Sequence, residues 1–189
     1  MAENRVKRVV FLGAPSTGKT TIAERVAEHY NTQYIAEFGR TYWMENQVDR
    51  LLTQEQLLYI AEEQIRQEDA AIGAANDFLI VDTNALTTWH FAIDYYGCAL
   101  PELDKLADES KDRFDVVFLC ADDIPFEDTW ERSGDVKRKE FQQFITQQLH
   151  DRDISYTLLS GSVEERLLRA TAVLQPLRST NPPHIDEFQ

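Results

Sequence analysis

The run Gly13-Ala14-Pro15-Ser16-Thr17-Gly18-Lys19-Thr20 constrains this chain more than any other feature. It matches the phosphate-binding pattern Gly-x-x-x-x-Gly-Lys-Ser/Thr at every fixed position, and it stands where that pattern must stand. Before it, Val6 to Leu12 is an almost continuous apolar run of strand type, interrupted only by Lys7 and Arg8. After it, Ile22, Ala23, Val26 and Ala27 recur at core spacing in a helix expected from Lys19 to about Tyr30. Glycines permit backbone conformations closed to other residues, so successive N–H groups turn inward as an anion nest, and the helix N-terminus adds its positive end. Lys19 supplies a point charge to the β- and γ-phosphates, and the Thr20 hydroxyl is a Mg²⁺ ligand, with Thr21 following in the same turn. The whole run Gly13 to Thr21 is thus expected to bind a nucleoside triphosphate with Mg²⁺.

Composition narrows what surrounds the loop. The chain has 189 residues, 43% hydrophobic and 28% charged, enough for one core of ordinary size. Its 33 acids against 19 bases give a net charge of −14, a field that repels nucleic-acid backbones and anionic lipid surfaces. Neither nucleic acid nor membrane is expected as a partner; the expected partner is a small-molecule substrate. No apolar run reaches the ~20 residues of a membrane-spanning helix, and the stretch Val9 to Leu12 is too short for a signal-peptide core. Cys98 and Cys120 form no disulfide framework or zinc spacing, so both are expected as reduced, buried thiols in a cytoplasmic protein.

Along the chain, short β-branched runs alternate with helical patterns, which predicts an α/β fold: a five-stranded, mostly parallel sheet flanked by helices, of the P-loop NTPase class. The strands fall at Val6–Leu12, Gln33–Ala36, Phe78–Val81, Val116–Cys120 and Ile154–Leu159. Helices are expected at Lys19–Tyr30, Thr53 to about Ile72, Ala85–Tyr96, Pro101 to about Asp112, from the polar stretch at Ser133 to about His150, and Val163 to about Leu174. Thr53 and Gln56 match a capping box. Residues 1–175 read as one kinase domain and 176–189 as a tail. In such a sheet the strand C-termini share the edge where ligands bind, and acids stand there: Glu37, Asp82 and the pair Asp122-Asp123.

A phosphate loop specifies a nucleotide without specifying its use. The short chain, the lack of a guanine-reading Asn-Lys-x-Asp run and a basic segment between the fourth strand and the next helix favour small-molecule phosphorylation over a motor or switch. In that segment Lys137 and Lys139 read as solvated charge. Arg132 and Arg138 are candidates for a lid that closes over the transferring group.

Three elements together carry a resemblance: the run Gly13 to Thr21, then Glu37-Phe38-Gly39-Arg40-Thr41-Tyr42, then Val81-Asp82-Thr83-Asn84 with Thr87-Thr88. The chain resembles the ribosylnicotinamide kinase domain of the NadR type, from about Val6 to the last helix. The resemblance implies ATP-dependent phosphorylation of nicotinamide riboside to nicotinamide mononucleotide. It implies an acceptor site at Glu37 and Arg40, a strand-ending acid at Asp82, and Arg132 in the lid. The sequence departs from the family pattern at Pro15-Ser16, at Asn84 and across Asp128-Thr129-Trp130-Glu131-Arg132.

Lys19, Glu37, Asp82 and Arg132 are therefore the candidate catalytic residues, with the roles of Glu37 and Asp82 interchangeable. Thr20 and Asp82 are the candidate metal ligands, and Arg138 joins the loop in the ATP set. Tyr42, Trp43, Trp89 and Tyr96 are candidates to stack on a planar pyridinium, with Tyr42 and Trp89 taken forward beside Glu37, Arg40 and Asp82 as substrate-binding residues. His90 reads as packed or solvated. Two other functions stay open: a P-loop kinase for another nucleoside or small alcohol, and a nucleotide-binding module that transfers nothing.

Overall fold

The computed structural model describes residues 5–46, 51–125 and 134–178, with 134–136 described by backbone only. Five strands, β1 (Lys7–Leu12), β2 (Tyr34–Ile35), β3 (Phe78–Asp82), β4 (Val116–Cys120) and β5 (Thr157–Leu159), form one sheet in the order β2-β3-β1-β4-β5. Every pairing is parallel, with Phe11 opposite both Asp82 and Phe118. This is the expected P-loop α/β fold. Its parallel strands need crossovers, which the helices supply: α1 (Lys19–Tyr30), α2 (Phe38–Asn46), α3 (Gln54–Ala71), α4 (Ala85–Tyr96), α5 (Pro101–Arg113), α6 (Gly134–Asp151) and α7 (Val163–Leu174).

The period of two along β1 divides its side chains between two cores. Val9 and Phe11 pack with Ile22 and Val26 of α1 and with Ala170 and Leu174 of α7. Val10 and Leu12 face the other way, into Leu86, Phe141, Ile145 and Leu149 of α4 and α6. Both faces of the central strands are therefore covered, and β3 and β4 are buried throughout, which is why they read as unbroken apolar runs. A third, smaller cluster joins Leu57 and Ala61 of α3 to Ala85, Ala92 and Leu103.

Local signals hold where they are chemically specific. Thr53 and Gln56 form a reciprocal capping box at the start of α3, and Ser162 and Glu165 do the same for α7. Three readings need correction. The segment 38–46 is helical although no helix was expected there; α2 buries none of its residues fully, so its sequence carries no apolar stripe to read. The fifth strand begins at Thr157 instead of Ile154, since Ile154 packs against the α6 side of the core before the chain enters the sheet. Cys120 is buried as expected, whereas Cys98 is exposed just beyond the α4 C-cap at Gly97. Among the described residues no helix is long and apolar enough to cross a membrane.

Candidate active site

The loop between β1 and α1 folds as its residues dictate. Gly13 has φ +139°, and a Cβ there would come within 2.8 Å of the Cys120 carbonyl and 2.9 Å of Thr17 Oγ1, so only glycine fits. Ser16 (φ 58°) and Gly18 (φ 77°) occupy the left-handed region, which turns the chain back on itself. Thr17 is fully buried and its hydroxyl donates to the Ala14 carbonyl at 2.8 Å. Lys19 Nζ donates to the same carbonyl at 3.0 Å. Helix α1 starts with no side-chain cap and no acid in its first turn, leaving its N-terminal field aimed at the loop.

Two buried side chains, neither singled out from the sequence, brace this loop. Gln142 of α6 accepts from the Ala14 N–H through Oε1 (2.9 Å) and donates from Nε2 to the Cys120 carbonyl (3.0 Å). Arg166 of α7, 2% exposed, donates from Nη1 to the Thr17 carbonyl (2.6 Å). It also donates from Nε to Gly161 O (3.0 Å) and from Nη2 to Ala121 O (3.2 Å), and it pairs with the Asp123 carboxylate. One guanidinium therefore ties the phosphate loop to the ends of β4 and β5. A signal was present in the sequence: Arg166 shares a helical face with Ala170 and Leu174, and Gln142 lies beside Phe141 and Ile145, each a polar residue set in an apolar stripe.

At the end of β3 the expected acid is in place. Asp82 is 1% exposed, and its Oδ2 accepts from Thr20 Oγ1 at 2.6 Å and from the Tyr34 hydroxyl at 3.4 Å. Burial pushes the Tyr34 phenol well above its ordinary range, with the nearby Asp82 charge adding to the effect, so it remains a donor. Asp82 Oδ1 is buried and has no hydrogen-bond partner among the described residues. A buried carboxylate oxygen without a donor, beside a threonine hydroxyl at a helix start, is a hard oxygen set suited to Mg²⁺. The turn that follows is strained: Thr83 has φ 67°, held by its N–H bond to Phe11 O and by its hydroxyl's bond to Thr87 (2.6 Å). Asn84 then caps α4 through the Leu86 N–H.

A cavity of about 640 Å³ opens above these strand ends. Its phosphate end is walled by the loop from Gly13 and Pro15 through Thr21. Glu37 and Arg40, at the start of α2, stand on its wall together with Thr83, Asn84, Thr87 and Thr88. The same wall has an apolar and aromatic part, to which Trp43, Leu57, Ile60, Phe91, Tyr95 and Phe141 contribute.

The structure does not bring every expected residue to this cavity. Tyr42 turns away and packs on Phe38 and Tyr59, leaving its neighbour Trp43 on the wall. Trp89 is engaged elsewhere: its indole N–H donates to Asp104 (2.6 Å), its ring packs on Phe144, and Arg152 sits over it at 4.9 Å. Two residues further along α4, Phe91 takes the place expected of it, because a helix turns ~100° per residue and a stacking face cannot be chosen from sequence spacing alone. Arg138 is 4% exposed and donates to the Asp122 and Ile124 carbonyls at 2.6 and 2.8 Å, so it holds the chain after β4 and is not on the cavity wall. Arg132 lies outside the described residues. His90 packs among Phe91, Phe141 and Phe144, and burial pushes its pKa down to about 4.

Comparison with known proteins agrees with this fold. The chain is 29% identical over 177 residues to the trifunctional NAD biosynthesis/regulator protein NadR of Escherichia coli K12; the alignment covers 91% of this chain and 43% of the relative, so the chain spans under half the length of the protein it matches. A crystal structure of NadR in complex with NR superimposes with a TM-score of 0.75 at 19% identity, covering 93% of this chain and 52% of that one. A second, of NadR with NAD and AMP-PNP, gives 0.70 at 21%, covering 90% and 49%. The signature of the AAA_28 family, described as an AAA domain, matches residues 8–166, from the first strand through the arginine that braces the phosphate loop, and the chain belongs to that family.

Proposed function

We propose that this protein transfers the γ-phosphoryl group of ATP to the 5′-hydroxyl of nicotinamide riboside, forming nicotinamide mononucleotide. The observation that carries the proposal is that one cavity is lined by the phosphate loop, by Glu37 and Arg40, and by aromatic side chains able to face a planar ring. The NadR structures supply the chemical class, since one holds NR and the other an ATP analogue.

Transfer is in-line: the riboside oxygen bonds to the γ-phosphorus as the bond to the β,γ-bridging oxygen breaks, and ADP leaves with that electron pair. The hydroxyl proton passes to a carboxylate. Glu37, which lines the cavity, is the carboxylate proposed to take it or to hold the ribose hydroxyls, and Arg40 lies one helical turn away. The loop amides and Lys19 stabilise charge on the phosphates. Thr20 and Asp82 would hold Mg²⁺, which when bound neutralises phosphate charge. The aromatic end, with Trp43 foremost, offers the pyridinium a π-face, a contact worth ~0.5–2 kcal/mol. The acidic chain favours approach of a cationic acceptor.

The test supplies ATP with equal concentrations of nicotinamide riboside, uridine and thymidine, and detects phosphorylated product by mass. Nicotinamide riboside should give the highest kcat/KM. A higher value for another riboside sinks the acceptor assignment. ATP consumption that no acceptor stimulates sinks transfer itself and leaves a nucleotide-binding module.

A further inference from the structure

Gln64 of α3 stands in the cavity wall, 4% exposed, on the same side of the helix as Leu57 and Ile60. Its Oε1 accepts from the backbone N–H of Phe38 at 2.8 Å. That bond fixes the amide's orientation, because a flipped amide would set NH₂ against N–H, donor against donor. The amide nitrogen is thereby committed to the opposite side, and among the described residues Nε2 has no hydrogen-bond partner. A buried donor left unpaired is costly; a leucine or methionine would avoid that cost only by taking the acceptor away from the Phe38 N–H. The side chain that carries this orphaned donor belongs to the cavity lining, as Glu37 does, and it is bonded to the residue that follows Glu37.

We infer that Gln64 is a specificity-determining residue whose Nε2 donates to an oxygen of the phosphoryl acceptor, either the carboxamide carbonyl of the pyridinium or a ribose hydroxyl. This rests on the proposed riboside kinase reading and adds to it. The site then selects by the penalty of leaving Nε2 unpaired: an acceptor lacking the matching oxygen binds with the donor still orphaned. Discrimination of that origin amounts to about 10- to 100-fold in kcat/KM. Stacking in the aromatic end cannot supply it, since every planar base has a π-face.

The test compares nicotinamide riboside with its 2′-deoxy and 3′-deoxy analogues and with pyridinium riboside, which lacks the carboxamide, using the intact chain and the variants Gln64→Glu and Gln64→Met. The wild-type protein should disfavour one of the three analogues by about 10-fold or more, and the identity of that analogue names the oxygen. Gln64→Glu keeps an acceptor for the Phe38 N–H while removing the donor. It should raise the KM for nicotinamide riboside by about 10-fold or more and erase the discrimination, with the KM for ATP within about twofold of wild type. Gln64→Met should do the same. Discrimination that survives in Gln64→Glu, or equal losses toward ATP and riboside, overturns the inference by making Gln64 structural. Equal use of all four ribosides by the wild-type protein overturns it without any variant. Failure of the wild-type protein to phosphorylate any riboside is a different result: it removes the kinase reading, and this inference with it.

Discussion

The two ends of the cavity are built on opposite plans. At the phosphate loop the design rests on backbone, and the side chains behind it, Thr17, Gln142 and Arg166, are buried and each makes a hydrogen bond to the loop's own backbone. At the part of the wall proposed for the acceptor, the lining comes from side chains on α2, α3, α4 and α6, and α2 has no fully buried residue of its own. A backbone site needs a few residues at fixed spacing and a rigid brace. A side-chain site needs several helices to agree on rotation, and single substitutions can retune it without disturbing the loop. Phosphate is common to all nucleotides while acceptors differ, so the division suits a scaffold that keeps one end and varies the other.

The largest effect should come from the phosphate end. Lys19→Ala removes the charge at the transferring group, and kcat should fall by about 10³-fold while the melting temperature stays near wild type. Turnover near normal at saturating substrate would break the assignment of this end. Arg166→Ala should act through the brace. Loss of bonds to three carbonyls and a carboxylate should cost roughly 3 kcal/mol in denaturant unfolding, with weakened ATP affinity besides. An unchanged denaturation midpoint would show that the loop holds its shape unaided.

Smaller effects should mark the acceptor end. Trp43→Ala should raise the riboside KM by about 10-fold and leave that of ATP alone, whereas Trp89→Phe should spare both and lower stability modestly through the lost Asp104 bond. If the two tryptophans exchange these behaviours, the rotation of α2 and α4 described above is wrong. The smallest effect concerns His90, wedged between α4 and α6 beneath this end. Its pKa is pushed down from 6.5 to about 4, chiefly by burial, with Asp94 opposing. The folded protein then keeps the ring neutral while the unfolded chain takes up a proton, so stability is full above about pH 6.5 and declines as pH falls toward 4. The loss should be on the order of 1–2 kcal/mol, allowing for the part of the ring that meets solvent. Stability measured against pH should lose that slope in His90→Phe; a slope that persists would assign the acid sensitivity to other groups.

What could be read from the residues alone follows the same division. The phosphate loop, the strand-ending Asp82 and the parallel α/β architecture were legible because each depends on local chemistry: glycine's free φ, a threonine-to-acid pairing at fixed topology, and apolar runs alternating with helical periods. Capping boxes at Thr53 and Ser162 belong with these, since their partners lie three residues away. Even so, α2 escaped notice, because a helix without a buried face leaves no periodic trace.

Tertiary structure decided the rest. Whether Tyr42 or Trp43 meets the cavity is one residue of helix rotation, about 100°, and that angle is set by packing against Phe38 and Tyr59. Arg138 carries the same charge whether it reaches a phosphate or a carbonyl, and only the path of residues 122–124 places it on carbonyls. Arg166 stands 149 positions from Thr17 and Gln142 stands 128 from Ala14, distances across which no spacing rule operates. The residues by themselves determined the phosphate-loop motif and the strand and helix that carry it. Which side chains brace that loop and which line the cavity depended on long-range contacts, because a side chain's role is fixed by what the folded chain brings against it.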